Sequence, residues 1–207
     1  MGYFITFEGG EGSGKSTQAA KLGKHLKSTG ATVVMTREPG GTPDAEKIRE
    51  LLVTGDPGRW SAEAEALLNY AARDSHVRAV IEPALKRGDW VLCDRFMDST
   101  RVYQSYAGGC PEHLIDELEN VIVKKVRPHL TLIFDIDPSI GLERARGRSG
   151  GEDRFERKGL QFHEELRDGF LAVAEREPAR CRVIDASPAE EEVFAAVLES
   201  VRELANG

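Results

Sequence analysis

Residues 4–7, Phe-Ile-Thr-Phe, form an apolar run that meets Glu8 and then Gly9-Gly10-Glu11-Gly12-Ser13-Gly14-Lys15-Ser16-Thr17. A short apolar run, a glycine cluster and a helical pattern specify strand, tight loop and helix in that order. Ala19, Leu22 and Leu26 fall at helical spacing after the loop, and Gly30 marks the end of that helix. Glycines at 9, 10, 12 and 14 let the backbone turn its N–H groups inward around an anion. The helix that follows adds the positive end of its dipole. The chain therefore starts as a strand–loop–helix unit built round a negatively charged group.

The remaining pattern repeats that unit. Further strands are expected at Thr32–Thr36, Trp90–Cys93, Leu130–Phe134 and Cys181–Ile184. Helices are expected from Pro43 to Val53, from Ser61 onward with a break at Pro83, near Asp98–Tyr106, from Pro111, from Ser139, from Glu156 to Arg176 and around Val193–Leu204. Strands alternate with helices and are uniformly apolar, the sign of a parallel sheet covered on both faces. The expectation is an α/β fold: a three-layer P-loop sandwich with a five-stranded parallel sheet, in one domain over residues 1–207. The Gly- and Arg-rich stretch at about 144–156 reads as a short lid.

Gly9-x-x-x-x-Gly14-Lys15-Ser16 matches the phosphate-binding pattern in its required context, after a strand and opening a helix. Lys15 is placed to reach the β- and γ-phosphates, and the Ser16 hydroxyl to meet Mg²⁺. A dinucleotide fingerprint is excluded, because the residue three after Gly12 is Lys15. The alternative, a glycine turn with no ligand, does not explain why Lys and Ser follow at once.

Composition narrows the partners. The net charge of −7 argues against a general nucleic-acid binder. Cys93, Cys110 and Cys181 make no CxxC pair and read as free thiols of a reducing cytosol. No apolar run approaches the roughly 18 residues of a membrane span, and the N-terminus reads as a strand rather than a signal peptide. The expected location is cytoplasmic. His25, His76, His113, His129 and His163 show no paired ligand spacing, and no Asn-Lys-x-Asp guanine motif is present.

Two further features gather at the same edge of the sheet. Cys93-Asp94-Arg95 ends the third strand, and Arg37-Glu38-Pro39-Gly40-Gly41 follows the second. Ligands bind at the carboxyl ends of such strands. Asp94 is the expected Mg²⁺ partner of Ser16, with Asp135 read as structural. Arg144, Arg146, Arg148 and Arg154 stand in the expected lid.

Together these segments resemble the thymidylate kinases of the bacterial type. The matches are Phe7 to Thr17, Thr36 to Thr42, Tyr70-Ala71-Ala72-Arg73, Asp94 to Thr100 with Tyr103-Gln104, and the Arg-rich lid, in the family's order. The resemblance implies transfer of the γ-phosphoryl of ATP to dTMP, in dTTP synthesis, with Mg²⁺, a closing lid and commonly a homodimer. Carried over by position, Arg73 and Gln104 address the pyrimidine beside Thr100, with Glu38, Asn69 and Ser99 in the same substrate site. Arg49 and Arg95 hold the acceptor phosphate, and Tyr103 lies under the deoxyribose. Glu11 sits near the reacting phosphates, Arg146 at ATP, and Arg146, Arg148 or Arg154 supplies the lid charge. The chemistry fits. A monophosphate is already largely dianionic at neutral pH, so what is needed is positioning and charge stabilisation rather than a strong base.

The match has gaps. Asn69 stands where the family usually has a Phe stacked on thymine, Phe96 where Tyr is usual, and Ser105 where Gly is usual. Either another ring covers the base or the accepted base differs. The alternatives are a kinase for another monophosphate such as dUMP, and a catalytically silent nucleotide-binding homologue.

Overall fold

The computed structural model describes residues 2–123, 126–145, 154–155 and 157–206. Five strands form one sheet: β1 (Phe4–Gly9), β2 (Val33–Arg37), β3 (Trp90–Asp94), β4 (Leu130–Asp135) and β5 (Cys181–Asp185). Their order is β2-β3-β1-β4-β5 and every pairing is parallel. Phe7, Asp94 and Arg37 share one rung, so the loops leaving β1, β2 and β3 emerge side by side.

Helices cover both faces. On one, α1 (Lys15–Ser28) and α9 (Glu190–Asn206) bury Leu22, Leu26, Val193 and Val197 against Ile5, Phe7 and Leu132. On the other, α3 (Ala62–His76) and α6 (Glu112–Ile122) pack Tyr70 and Ile115 with Phe4, Val91 and Phe96. The long α8 (Leu160–Arg176) adds Leu166, Phe170 and Val173 around Ile133 and Tyr103. The uniformly covered strands foreseen from the sequence hold for β1 and β4 but not for the sheet's edges. Met35 of β2 is 42% exposed and Val183 of β5 is 47% exposed, because each edge strand has a neighbour on one side only. Among the described residues, no helix is long and apolar enough to cross a membrane.

Local chemistry explains the helix boundaries. Thr42 caps α2 (Pro43–Val53) by accepting from the Ala45 N–H, with Pro43 at the first position, where a missing N–H costs nothing. Ser61 caps α3 in the same way through Ala64. The break foreseen at Pro83 takes the form of a π turn over Val77–Ile81, after which α4 (Glu82–Arg87) restarts with Pro83 in its first turn. The helix expected near Asp98–Tyr106 is a short α turn, α5 (Met97–Thr100), running into a π turn over Arg101–Tyr106. Such wide turns re-aim side chains and recur at functional sites. α7 (Pro138–Ala145) lies against the glycine loop, with Gly141 packed on Glu11 and Gly12. α8 starts at Leu160, later than the Glu156 foreseen, with Gly159 as its N-cap.

A buried ion pair ties α5 to the start of β5. Arg180 donates two parallel hydrogen bonds to Asp98, at 2.7 and 2.8 Å, and a third to the Thr131 hydroxyl. Asp98 is 1% exposed. Replacing Arg180 by Ala leaves that carboxylate buried without its partner, which costs about 3 kcal/mol or more. Denaturant unfolding of Arg180→Ala should show that loss, and a change under about 1 kcal/mol would contradict a structural role for the pair.

Candidate active site

The loop after β1 is shaped by close approaches. Gly9 (φ 134°), Gly12 (φ 67°) and Gly14 (φ 87°) all take positive φ. A Cβ on Gly12 would lie 1.9 Å from the carbonyl oxygen of Gly141 in α7, so no larger residue fits. Gly14 caps α1 in the left-handed conformation and points the start of that helix at the cavity. Lys15 folds back over the loop, its Nζ donating to the Gly10 carbonyl at 2.6 Å and to Ser13 Oγ at 3.2 Å. Burial, then the neighbouring Arg95, bring the Lys15 ammonium down to about 8. The Ser16 hydroxyl makes a short hydrogen bond to Asp94 at the mouth of the loop.

Arg95 joins this loop to α5. It is non-glycine at φ 66°, a conformation that persists only where surroundings hold it. They do. Its N–H donates to the Phe7 carbonyl. Its Nη1 donates to the Gly9 carbonyl and to Ser99 Oγ, each at 3.1 Å, and its Nη2 to Glu11 at 2.7 Å. The guanidinium lies 5.0 Å from the Tyr103 ring centre, and the Tyr103 hydroxyl donates to the same Glu11 oxygen at 2.9 Å. Burial pushes the Glu11 carboxyl up, but Arg95, Lys15 and the Tyr103 hydroxyl outweigh it and hold its pKa at about 2. Beneath them the buried Glu8 carboxylate accepts from the Phe96 N–H at 2.7 Å and from the Ser99 hydroxyl at 2.5 Å. Burial and the nearby Asp98 push Glu8 up to about 7.

The other wall comes from α2, α3 and the π turn after α5. Arg73, 2% exposed, donates from Nε to Glu38 at 2.7 Å and from Nη2 to the Phe96 carbonyl and Thr100 Oγ1, each at 3.0 Å. It is packed between the Tyr70 and Phe96 rings, 4.4 and 5.2 Å from their centres. Arg73 Nη1 is buried and has no hydrogen-bond partner. His76 Nδ1 is 2.9 Å from the second Glu38 oxygen. Arg49 donates to the Pro39 carbonyl at 2.9 Å. Asn69 donates to the Glu65 carbonyl at 2.9 Å, and Gln104 to the Glu65 carboxylate at 2.8 Å.

The phosphate loop, Arg95 and this second wall enclose one continuous cavity of about 520 Å³, within the usual size of a small-molecule site. Glu11, Gly12, Ser13, Gly14, Lys15, Ser16 and Thr17 line one end, with Asp94 and Arg95 in the middle. Glu38, Arg49, Asn69, Arg73, Ser99, Thr100, Tyr103 and Gln104 line the rest. Gly9 and Gly10 are not on this wall; their carbonyls hold Arg95 and Lys15.

Arg154 corrects an expectation. It is one of the three arginines read as able to bring lid charge to the phosphates, but it is fully buried and does not line the cavity. It donates to the carbonyls of Leu52, Asp56 and Pro57 and to Glu65. Acceptors on every side make it a structural tie between the loop after α2 and α3. Arg146 and Arg148, with most of the expected lid, lie outside the described residues. Asp135 is engaged by Arg167 at 2.6 and 2.9 Å and is also off this cavity.

Arg37, Pro39, Leu52, Val53, Phe96 and Phe155 also line the cavity without having been singled out as site residues. Helical spacing gives one available signal for a supporting residue: His76 lies one turn after Arg73 on α3, shares its face and meets Glu38 behind the cavity wall.

A family model described as thymidylate kinase matches residues 7–197. A thymidylate kinase of Caulobacter vibrioides is 55% identical over 201 residues, spanning 97% of this chain and 96% of that protein. One from Ruegeria pomeroyi is 50% identical over 200 residues, spanning 97% and 94%. Among solved structures, a thymidylate kinase of Ehrlichia chaffeensis superposes with a TM-score of 0.78 at 35% identity, covering 97% of this chain and 98% of that one. With relatives this similar along nearly its whole length, and a phosphate loop and Arg73–Gln104 wall sharing one cavity, the chain belongs to the thymidylate kinase family.

Proposed function

We propose that the cavity holds two nucleotides end to end and moves the γ-phosphoryl of ATP onto dTMP, giving ADP and dTDP. The observation that carries this is continuity: a phosphate-binding loop and a wall of buried, hydrogen-bonded polar side chains line one space, with Arg95 between them. A lone triphosphate would not call for the second wall.

The roles follow from charge and reach. The loop N–H groups and Lys15 take the ATP phosphates, with Gly9 and Gly10 shaping the loop and Ser13 and Thr17 on its rim. Arg95 and Arg49 take the acceptor phosphate. Glu11, paired with both Arg95 and Tyr103, keeps that guanidinium aimed between the two phosphate groups. Arg73, Thr100 and Gln104 address the base, Tyr103 the sugar, and Glu38 and Ser99 hold the arginines in place. Asn69 lies on the base side of the cavity, where a ring is usual in the family.

The donors at the loop mouth suit Mg²⁺, because the Ser16 hydroxyl and Asp94 carboxylate are hard oxygen ligands already side by side. When bound there, the ion neutralises charge on the β- and γ-phosphates. The protein's own part is to align donor and acceptor and to keep water out. A cytoplasmic homodimer is part of this reading on family resemblance alone. Sedimentation at the mass of two chains checks the assembly.

An ADP-release assay over dTMP, dUMP, UMP, CMP, AMP and GMP tests the function directly. dTMP should be the best acceptor, and a better rate with any other monophosphate would overturn the assignment.

Lys15 gives a second test. Its charge is needed at the phosphates and is lost as pH rises through about 8 in the free enzyme. Because kcat/KM reports free-enzyme ionisations, kcat/KM for ATP should fall above about pH 8. Lys15→Ala should lower kcat about a hundredfold or more with the fold retained. A flat profile from pH 7 to 9.5, or near-normal kcat in the variant, would remove Lys15 from this role. Asn69→Phe restores a ring beside the base and should tighten dTMP binding, measured as its KM; no change would place the base elsewhere.

A further inference from the structure

Glu65 lies outside the segments that carry the family resemblance, yet it meets the base-facing wall from behind. The residue is 4% exposed. One carboxylate oxygen accepts from Gln104 Nε2 at 2.8 Å, and the other from Arg154 Nη2 at 2.5 Å. Its backbone carbonyl accepts from Asn69. Arg154 in turn holds the carbonyls of Leu52, Asp56 and Pro57, so this carboxylate is anchored on both sides.

An ion-paired carboxylate can only accept hydrogen bonds. Gln104 must therefore turn its amide nitrogen toward Glu65, and its carbonyl oxygen is the atom left for the cavity it lines. On the same wall Arg73 offers a buried Nη1 with no partner, which can only donate. With the base seated so that Arg73 meets its 4-substituent and Gln104 its ring N3, the wall presents a donor and then an acceptor. A pyrimidine with an imide edge carries a ring N–H donor beside a carbonyl acceptor and fits that order. An amino-pyrimidine carries a ring-nitrogen acceptor beside an amino donor and meets two like groups.

We propose that Glu65 is a specificity-determining positioning residue, which sets the direction of the Gln104 carboxamide and so selects an imide pyrimidine over an amino-pyrimidine. Arg154 keeps Glu65 in place. This rests on the cavity being the acceptor site of a dTMP kinase. Glu65 acts through Gln104 and touches no substrate.

The test measures kcat/KM for dTMP and dCMP, and KM for ATP, in the wild type and in Glu65→Gln. The substituted amide must keep its oxygen toward Arg154, which can only donate, and so turns its nitrogen toward Gln104; this no longer holds the Gln104 nitrogen inward and favours the reversed carboxamide. The ratio of dTMP to dCMP use should fall about tenfold or more, the scale of one mismatched buried hydrogen bond, with KM for ATP changed less than about twofold. In a Gln104→Leu background the same substitution should leave the ratio unmoved. A merely structural Glu65 would lower use of both acceptors in parallel with the ratio intact, and that result overturns the proposal. If Glu65→Gln folds poorly, Glu65→Asp keeps the charge facing Arg154 while withdrawing from Gln104. Its ratio should fall as well, and an unchanged ratio counts equally against the idea. A wild type that does not prefer dTMP overturns the functional assignment as well. A wild type that does, with variants that discriminate as well as it does, overturns the Glu65 role alone.

Discussion

Guanidinium groups removed from water need carboxylates, and that requirement organises this molecule. Arg73 is paired with Glu38, Arg154 with Glu65, Arg180 with Asp98 and the half-buried Arg95 with Glu11. Each pair joins segments far apart in the chain. Stranding one member inside costs far more than the pair itself contributes, so each pair fixes a relative position. Together they hold the loop after β1, the turn after β2, α3 and α5 around one space. Arg's planar fork suits this task, since it can satisfy a carboxylate and a carbonyl at once.

Arg95 is where donor and acceptor halves meet. Its left-handed backbone is a strained choice, held by the Phe7 carbonyl above and by Glu8 bonding the next residue, Phe96, below. Glu8 shows what that support costs. Its folded pKa near 7 stands above the ordinary 4.5, so its contribution to stability is complete below about 4.5 and declines as pH rises through about 7. The fold accepts that loss at neutral pH in return for a fixed Phe96–Ser99 turn.

Much of this architecture was legible from residue order. Glycines 9, 12 and 14 with Lys15 and Ser16 have almost no other physical use, and the helix they open lies where spacing put it. Ser61 and Pro43 marked two helix starts, and both helices begin there, the second behind a Thr42 cap that only the structure shows. The π turns at 77–81 and 101–106 were not legible, because apolar spacing does not distinguish 3.6 residues per turn from a local widening. Exposure of Met35 and Val183 depends on strand order, which strand composition does not contain. Arg154 reads as a lid charge because an Arg beside glycines looks like a mobile one; its four acceptors come from Leu52, Asp56, Pro57 and Glu65, about ninety to a hundred residues earlier.

By itself, then, the sequence determined the parallel α/β class, the phosphate loop and the family, because glycine conformational freedom, helix caps and side-chain charge act over a few residues. Which arginines face the cavity, which serve as ties, and that Glu65 stands behind Gln104 emerge only from the packed fold. Those outcomes depend on which carboxylates and carbonyls a guanidinium meets once water is excluded, and the meeting is set by how β1, β3, α3 and the 101–106 turn pack together.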